Sequence, residues 1–461
     1  MNNAKPNRYL SGNYAPVHKE LNLSNLEVIG TLPRSLKGTY YCIGSNPQFD
    51  PIGNYHWFTG DGMVHAITIN AQGASYCNRW VRTEKFTAER QLGQPIFDGM
   101  DQRINNDPQY NNLSNNSANT NIVMHAGMLQ ALNEGALPML LSQNDLNTIG
   151  THNFDGRILE TLSAHPRLEA ATELMHTYSY LSLQERLRYH CINNNGDVIE
   201  QREINWPYPC MMHDFLITEN YCIFPCFPMT YSFERAMQSG EFFKWEPHLP
   251  TAFGIMPRGD MHAKIIWIEF DSCHVMHFSN AFEHNSDIII DAFKYKTSPI
   301  FHKSSSDEPL LTQLVRWRID LKSKSVNETG LEDSRSDFPR FDERFNGRRY
   351  NICYYAEDSS GKFQFLNRVN RIDFETGDKQ YYDFGKDGIT EPVFVPDDKN
   401  SKKDEGYLIA MRYSENSKTS CLEIFNAQHI NDGPVTSIKL PCRVPYTFHG
   451  NWVNASGKEN E

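Results

Sequence analysis

Seven short polar turn motifs, each bordered by an apolar, β-rich run, recur along the chain and constrain its architecture. They fall at residues 69–73, 145–150, 192–196, 269–271, 319–321, 372–377 and 424–427. Long amphipathic helical periods are rare between them, so short strands joined in hairpins dominate. Seven units in 461 residues average about 66 residues each, enough for a four-stranded blade with loops. The pattern predicts an all-β, seven-bladed β-propeller. It leaves other all-β folds open, because their turns are also rich in Asn, Asp and Gly and the spacings in this chain are uneven.

Composition and charge narrow the class of protein. Hydrophobic residues make up 39% of the chain and charged residues 22%, which is too apolar for a disordered protein and indicates a globular one. The net charge of −12, without any Lys/Arg-rich block, argues against a nucleic-acid partner. The sequence has no signal-like segment and no run of 18 apolar residues, so we expect a cytoplasmic protein. The ten cysteines are scattered, and Cys222 and Cys226 lack a second close pair for zinc, so we predict buried, reduced thiols.

Several segments differ from the repeated strand pattern. We interpret residues 1–461 as one propeller domain in which the Asn-rich 101–121 and the polar 321–338 are inserted loops and 455–461 is a solvated tail. Two stretches rich in aromatic residues and Met, 221–233 and 242–256, show little strand alternation. They are predicted to be lids or tunnel walls near a site, or simply core.

Four of the 17 histidines lie where the local pattern predicts the start of an inward-facing strand: His165, His213, His277 and His449. Strand starts from different blades of a propeller converge on its axis, so these distant imidazoles can surround one metal ion. Four neutral imidazoles favour ferrous iron, because structural zinc usually recruits Cys and catalytic zinc usually has three protein ligands. Spacing alone does not separate these four from the other histidines, and a lone His is more often a core or solvent residue.

Ordered motifs cover nearly the whole chain. They are 13–17 (NYAPV), 36–40 (LKGTY), 55–65 (YHWFTGDGMVH), 211–220 (MMHDFLITEN), 277–283 (HFSNAFE), 391–396 (EPVFVP) and 448–452 (FHGNW). Together they resemble the carotenoid cleavage oxygenase family, iron-dependent enzymes that split a conjugated double bond with dioxygen. The resemblance implies a seven-bladed propeller whose metal-bearing face is covered by a cap of loops and helices, in agreement with the seven turn motifs.

The same resemblance implies that the four histidines bind one Fe2+ and that dioxygen is a co-substrate. In the family, three carboxylates orient ligand rings by accepting their second N–H, and these positions fall on Glu134, Asp337 and Glu391. Asp337 departs from the family's usual Glu and is shorter by one methylene. Either the backbone shifts, or a water bridges the gap, or iron affinity drops by about 10- to 100-fold.

Other departures bear on the substrate. Residues 42–47 read Cys-Ile-Gly-Ser-Asn-Pro where the family has Arg-x-Gly-Pro-Asn-Pro, a change we expect to be structural only. The lignostilbene-cleaving branch engages the substrate phenol with a Lys beside the first carboxylate and an upstream Tyr. In this chain Asn133 stands at the Lys position and the Tyr position falls near Met100. Because a phenol without a base is not activated, this favours a carotenoid or apocarotenoid over a stilbene.

The resemblance therefore implies an Fe2+-dependent dioxygenase that converts both carbons of one conjugated double bond into carbonyls. A hydrophobic polyene needs an apolar tunnel and a route from a lipid surface; residues 221–256 are either the segment that supplies both, with peripheral membrane contact, or core, which is the commoner role of such residues. Three alternatives stay open: cleavage of a stilbene or phenylpropenoid, isomerase or hydrolase chemistry on the same iron, and a non-catalytic propeller that binds an apolar ligand or a protein. The sequence also leaves the oligomeric state open.

Overall fold

The strands form seven antiparallel sheets, arranged as the blades of a propeller, and one separate two-stranded sheet. The computed structural model describes residues 7–100, 102–181, 186–239, 241–260, 262–300, 311–361, 365–398 and 400–455. The predicted all-β, seven-bladed architecture is confirmed.

Within each blade the strands follow one another from the axis outward. Blade 1 contains His449–Asn454, Gly38–Ser45, Gly62–Asn70, Gly73–Trp80 and Asn22–Leu23, and blade 2 contains Asn121–His125, Met128–Leu132, Met139–Leu141 and Thr148–Thr151. Blade 3 contains Arg167–Glu169, Leu174–Leu181, Arg186–Ile192 and Val198–Asn205, and blade 4 contains Leu216–Ile217, Tyr221–Cys226, Thr251–Pro257 and Ile266–Phe270. Blade 5 contains His274–His284, Asp287–Tyr295, Thr312–Asp320 and Ser325–Ser334, and blade 6 contains Ser336–Arg340, Ile352–Glu357, Arg368–Asp373 and Lys379–Asp383. Blade 7 contains Gly388–Ile389 and Val393–Pro396, which share one neighbour, and then Gly406–Tyr413, Ser420–Asn426, Pro434–Lys439 and Glu27–Gly30.

The two ends of the chain close the ring. The strand His449–Asn454 completes blade 1 by pairing with Gly38–Ser45, and the early strand Glu27–Gly30 pairs with Pro434–Lys439 at the edge of blade 7. This closure ties the first and last blades together through both ends of the chain. Apolar side chains fill the spaces between neighbouring blades; one such cluster, between blades 4 and 5, contains the fully buried Trp317 packed against Phe253 and Phe270.

Six of the seven turn motifs join the third strand of a blade to the next strand out, each in a different blade. The motif at 269–271 instead ends the outermost strand of blade 4. Burial differs between the rim and the axis of the propeller. The rim strand Lys379–Asp383 alternates between exposed and partly buried residues, while the axial strand His274–His284 is almost continuously buried.

One predicted loop is wrong. Residues 321–338 are not an insertion, because Ser325–Ser334 forms the outermost strand of blade 5 and Ser336–Arg340 the innermost strand of blade 6. Half of the residues in this outer strand are exposed and only Ser334 is buried, so polar residues are tolerated on both faces and no apolar alternation marks it. Within 102–120 lies the 3-10 helix Pro108–Tyr110, and residues 101 and 456–461 lie outside the described part of the chain.

The two aromatic stretches divide between core and cap. Tyr221–Cys226 and Thr251–Pro257 pair as central strands of blade 4, and the chain between them leaves the blade. There Met229–Tyr231 pairs with Phe243–Trp245, and the α-helix Phe233–Ser239 lies between the two strands in sequence; these three elements form the cap.

The remaining helices are short. The second α-helix is Glu84–Leu92, capped by the Thr83 hydroxyl and ended by Gly93 at a φ of 78°. The other 3-10 helices are Arg8–Leu10, Gly12–Tyr14, Trp57–Thr59, Glu343–Phe345 and Ile430–Asp432. Among the described residues, we find no helix with the length and apolarity needed to cross a membrane.

Candidate metal centre

Four of the seven blades bring a histidine to the propeller axis. His165 and His213 lie just before the first strands of blades 3 and 4, His277 lies within the first strand of blade 5, and His449 opens the strand that closes blade 1. Each ring offers one nitrogen atom, and these four atoms all lie within 4.8 Å of one another. The fold therefore brings together four side chains that are far apart in the sequence.

Irregular pairing in two innermost strands directs polar side chains toward this centre. In blade 5 two register shifts interrupt the strand around His277. In blade 6 the register shifts between Asp337 and Arg340, because the inner strand has one more residue there than its neighbour. A bulge changes the direction of nearby side chains, so Asp337 and Arg340, which strict alternation would place on opposite faces, can project to the same side.

Three of the four rings are hydrogen-bonded to carboxylates. The pairs are His277 Nδ1 with Asp337 Oδ1 at 2.9 Å, His449 Nδ1 with Glu391 Oε1 at 3.2 Å, and His213 Nδ1 with Glu134 Oε1. Every pair uses Nδ1, so the proton stays on the carboxylate side and the Nε2 lone pair of each ring is available for a metal. All three carboxylates singled out in the sequence thus contact the rings.

Asp337 reaches its histidine directly despite its short side chain. Its second oxygen, Oδ2, accepts a hydrogen bond from the Tyr295 hydroxyl at 2.9 Å, and its Oδ1 also accepts from the Phe338 backbone N–H at 2.8 Å. Phe338 has a φ of 57°, a left-handed conformation that is unusual for a bulky residue, and its ring stacks on His277 with centroids 5.0 Å apart. The local backbone conformation accompanies a direct contact, so no bridging water is needed.

His165 differs from the other three rings. Its Nε2 is buried and has no hydrogen-bond partner among the described residues, and no carboxylate contacts its ring in that part of the chain. Nearby, the Nε2 atoms of His213 and His277 lie 3.0 Å apart. Converging imidazole nitrogens, one of them buried without a partner, are the donor set that divalent Fe, Cu, Ni or Zn binds, so the residues present fit a metal ion.

Burial and charge set the protonation of these rings in opposite directions. Burial, together with the three neighbouring rings, holds the pKa of His165 well below its usual value. Burial also lowers the pKa of His449, although the Glu391 carboxylate opposes it. For His277 burial is outweighed by the charge and hydrogen bond of Asp337, and the pKa is raised. Burial would raise the pKa of Glu391, but the neighbouring Arg340 and His449 lower it to about 2.

Polar side chains next to the centre tie the innermost strands together. Arg167 Nη2 donates to both oxygens of Asp214 at 2.8 and 2.6 Å, and Asp214 Oδ2 accepts from the Phe278 backbone N–H at 3.0 Å. These contacts link blades 3, 4 and 5. On the other side of the axis, Asn451 Nδ2 donates to Asn121 Oδ1 at 3.1 Å and so links blades 1 and 2.

An apolar wall borders the metal centre. It consists of Met211, Met229, Met276, Tyr295 and Ile300, with Phe58, Phe243 and Trp245 packed against them. Met211 and Met276 lie two and one residues before candidate ligands, and Met211 N–H donates to the Met229 carbonyl of the cap at 2.9 Å. Met229, Phe243 and Trp245 lie on the cap strands, so the cap forms part of the wall.

Tyr295, Asp214 and Arg340 are parts of the centre that were not predicted from the sequence. Tyr295 contacts Asp337 across 42 residues of sequence, and Arg340 contacts blade 1 across 110. Such long-range contacts leave no local pattern. The only available signal was the position of Arg340 three residues after Asp337.

The chain is similar to known proteins along nearly its whole length. Residues 14–454 match the family described as Retinal pigment epithelial membrane protein. The chain is 31% identical to Carotenoid 9,10(9',10')-cleavage dioxygenase 1 of Arabidopsis thaliana, over 97% of this chain and 90% of that protein. It is also 31% identical to Isoeugenol monooxygenase of Pseudomonas nitroreducens, over 96% of this chain and 97% of that protein.

Solved structures of oxygenases are also similar to this chain. Lignostilbene dioxygenase of Pseudomonas brassicacearum matches with a TM-score of 0.92 at 29% identity, covering 98% of this chain and 99% of that one. Cobalt-substituted ACO of Synechocystis matches with a TM-score of 0.88 at 28% identity, covering 98% and 99%. The chain thus shares its propeller fold with solved oxygenase structures over nearly its whole length. The chain belongs to the Retinal pigment epithelial membrane protein family, the carotenoid oxygenases that its motifs resemble, and it is a dioxygenase.

Proposed function

We propose that His165, His213, His277 and His449 hold one Fe2+ per chain and that the protein uses dioxygen to cleave a conjugated carbon–carbon double bond. The observation that carries this proposal is the convergence of the four ring nitrogens within 4.8 Å. When bound, the iron supplies the place where dioxygen is activated for reaction with an alkene.

The chain's own groups hold the rings in one orientation. Glu134, Asp337 and Glu391 accept from Nδ1 of three rings, which fixes the tautomer and keeps protons away from the metal-facing nitrogens. The apolar wall and the cap exclude water from one side of the centre and offer a surface on which an apolar substrate can lie with one double bond beside the metal. Regiochemistry then depends on the shape of this surface.

The favoured substrate class is a carotenoid or apocarotenoid. The Asn133 side chain donates to Ser117 Oγ at 2.9 Å and accepts from the Gly135 backbone N–H at 2.9 Å, so it is a bonded amide and not a base. Met100, near the position of the phenol-binding Tyr, has 38% of its surface exposed and is not part of the apolar wall. Neither position can activate a phenol.

Two buried ring nitrogens beside the wall favour a substrate that carries oxygen. Trp245 Nε1 and His274 Nδ1 have no hydrogen-bond partner within the described ranges, and their rings lie 6.1 Å apart. An indole N–H is a donor only, and leaving it unpaired is unfavourable, so a carbonyl or hydroxyl oxygen of the substrate would be bound there in preference to a hydrocarbon end. This favours an apocarotenoid over a hydrocarbon carotene.

The second candidate is cleavage of a stilbene or phenylpropenoid. Isoeugenol monooxygenase is as similar in sequence as the plant carotenoid enzyme, and lignostilbene dioxygenase matches with a TM-score of 0.92. For this reaction the chain would need a phenol-activating pair other than residues 133 and 100.

Access from a lipid surface is part of the proposal. Met237, on the cap helix, is 73% exposed, and Phe242, directly before the second cap strand, is 39% exposed. Exposed apolar side chains on the segment that forms part of the substrate wall suit contact with a membrane surface. Binding to neutral lipid vesicles that is lost in Met237→Glu/Phe242→Glu, with folding unchanged, would support this role. Equal binding by both proteins would contradict it.

The decisive experiment is anaerobic purification with metal analysis, followed by air and a substrate panel. The panel contains carotenes, apocarotenals, stilbenes and isoeugenol, with carbonyl products read by mass spectrometry. We expect about one iron per chain and an aldehyde or ketone from a polyene. His277→Ala should lack both, while His284→Ala, which alters an exposed histidine outside the centre, should retain both.

The other outcomes separate the alternatives. Iron with cleavage of phenolic alkenes alone would select the second candidate. Iron with isomerised or hydrolysed products would point to the isomerase or hydrolase chemistry. Absence of iron under reducing, iron-replete conditions would contradict the enzyme and leave a binding propeller.

A further inference from the structure

Arg340 is the one guanidinium that contacts a ring-orienting carboxylate among the described residues. Its Nη1 lies 3.3 Å from Glu391 Oε1, the oxygen that also contacts His449. The side chains of Arg340 and Glu391 are 13% and 5% exposed, so this pair is largely screened from water. The positive charge of Arg340 therefore acts on Glu391 with little screening by water.

The same guanidinium reaches the strand that carries His449. Nη1 donates to the Gly450 carbonyl at 3.3 Å and Nη2 donates to Asn451 Oδ1 at 2.9 Å. Glu391 Oε2 in turn accepts from the Gly450 backbone N–H at 3.0 Å. Arg340 thus contacts both the carboxylate and the strand that the carboxylate supports, and these contacts span blades 6, 7 and 1.

Glu391 needs such an anchor because of where it lies. It falls between Gly388–Ile389 and Val393–Pro396, where the inner edge of blade 7 has one more residue than the neighbouring strand. An extra residue at a bulge interrupts the ladder, so strand pairing alone does not fix the direction of the carboxylate. Asp337 is different, since the Tyr295 hydroxyl and the Phe338 N–H hold it from its own and the adjacent blade.

We propose that Arg340 is a positioning residue that acts through Glu391 to orient His449 and so sets the affinity of the centre for its metal. The inference rests on the proposed metal site. Glu343, whose Oε1 lies 2.7 Å from Arg340 Nη2, is 51% exposed and holds the outer side of the same guanidinium without contacting a ring. It provides a matched control for loss of an ion pair at Arg340.

The test is a double-mutant cycle on the dissociation constant of Co2+, followed by the visible absorption of the bound ion at one pH. We expect Glu391→Gln to weaken Co2+ binding by about 10- to 100-fold and Arg340→Met by about tenfold. The double variant should be no more than about twofold weaker than Glu391→Gln alone, because Arg340 acts through that carboxylate. Arg340→Lys should recover part of the loss, and Glu343→Gln should bind like the unsubstituted protein.

Each result decides a separate point. A full additive loss in the double variant, or a lowered melting temperature in Arg340→Met with an unchanged Co2+ dissociation constant, would overturn the role of Arg340 and leave the metal site intact. Failure of the unsubstituted protein to bind Co2+ would overturn the metal site and with it this inference. If Arg340→Met does not fold, the cycle between Arg340→Lys and Glu391→Gln gives the same test.

Discussion

The rings of His165 and His277 lie 5.3 Å apart, centroid to centroid, and are held in different ways. His277 is fixed at its ring, by Asp337, which is itself held by Tyr295. His165 is fixed at its backbone, because its N–H donates to Ser163 Oγ at 3.0 Å and the carbonyl of the preceding residue, Ala164, accepts from the Asn121 side chain at 2.8 Å.

The comparison shows which contacts orient each ring. A carboxylate on Nδ1 fixes the tautomer and raises the basicity of the ring, whereas backbone anchoring fixes only position. Arg167, two residues after His165, completes that anchoring through Asp214. We therefore expect substitutions on the His277 side to change metal affinity and substitutions on the His165 side to change stability.

Removing a ring itself should have the largest effect and should not distinguish the two sides. His165→Ala and His277→Ala each delete a proposed ligand, so we expect loss of bound iron and loss of cleavage, beyond the ~10- to 100-fold typical of losing a supporting group. Iron content by elemental analysis and product formation are the measurements. A variant that kept full iron and full turnover would remove that residue from the centre.

Breaking the buried pair between Arg167 and Asp214, on the His165 side of the centre, should cost stability. Arg167→Met leaves Asp214 buried without its cation, since their side chains are 13% and 3% exposed, and we expect a loss of about 3–5 kcal/mol in the free energy of unfolding. Arg82→Met, which breaks an exposed pair with Glu20, should cost less than about 1 kcal/mol. Denaturant titration of both variants compares them. Equal losses would show that the buried pair has no special structural role.

Removing the charge of the carboxylate should weaken metal binding with a smaller effect on folding. Asp337→Asn keeps the size of the side chain and loses the anionic acceptor for His277, so iron affinity should fall by about 10- to 100-fold. Tyr295→Phe removes only the hydroxyl that supports Asp337, and a smaller loss is expected. Competition with a chelator measures both. A greater loss in Tyr295→Phe than in Asp337→Asn would contradict the order of contacts.

Much of the fold could be predicted from the sequence because turns are local. Six turn motifs mark six different blades at the same step, since Asn, Asp and Gly meet the backbone demands of a tight turn wherever it occurs. The strand Ser325–Ser334 was mistaken for a loop because an exposed outer strand has no buried face to pattern it. A prediction based on polarity alone therefore mistakes such exposed outer strands for loops.

The centre was predictable only through family motifs. His165 and His449 are separated by most of the chain, and their meeting depends on ring closure by Gly38–Ser45, which no local pattern shows. The supporting contacts of Tyr295 and Arg340 were not predicted, because both depend on the bulged inner strand of blade 6. Side-chain direction at a bulge follows from pairing with the neighbouring strand, not from alternation along one strand.

The smallest predicted effect concerns protonation in the metal-free protein. At pH 6.5 more than half of the folded molecules should carry His277 protonated, since its pKa is raised, whereas His165 should be mostly neutral, since burial holds its pKa well below the usual value. A raised folded pKa contributes stability below pH 6.5 that is lost as the pH rises through it. A lowered one costs stability as the pH falls below 6.5, because the unfolded chain then binds the proton more readily. The two contributions, each at most about 1.4 kcal/mol per pH unit, have opposite signs between pH 7 and 6, so each offsets part of the other. Histidine-selective 15N NMR resolves the rings one by one. Protonation of His165 at a higher pH than His277 would show that Asp337 does not distinguish the two sides of the centre.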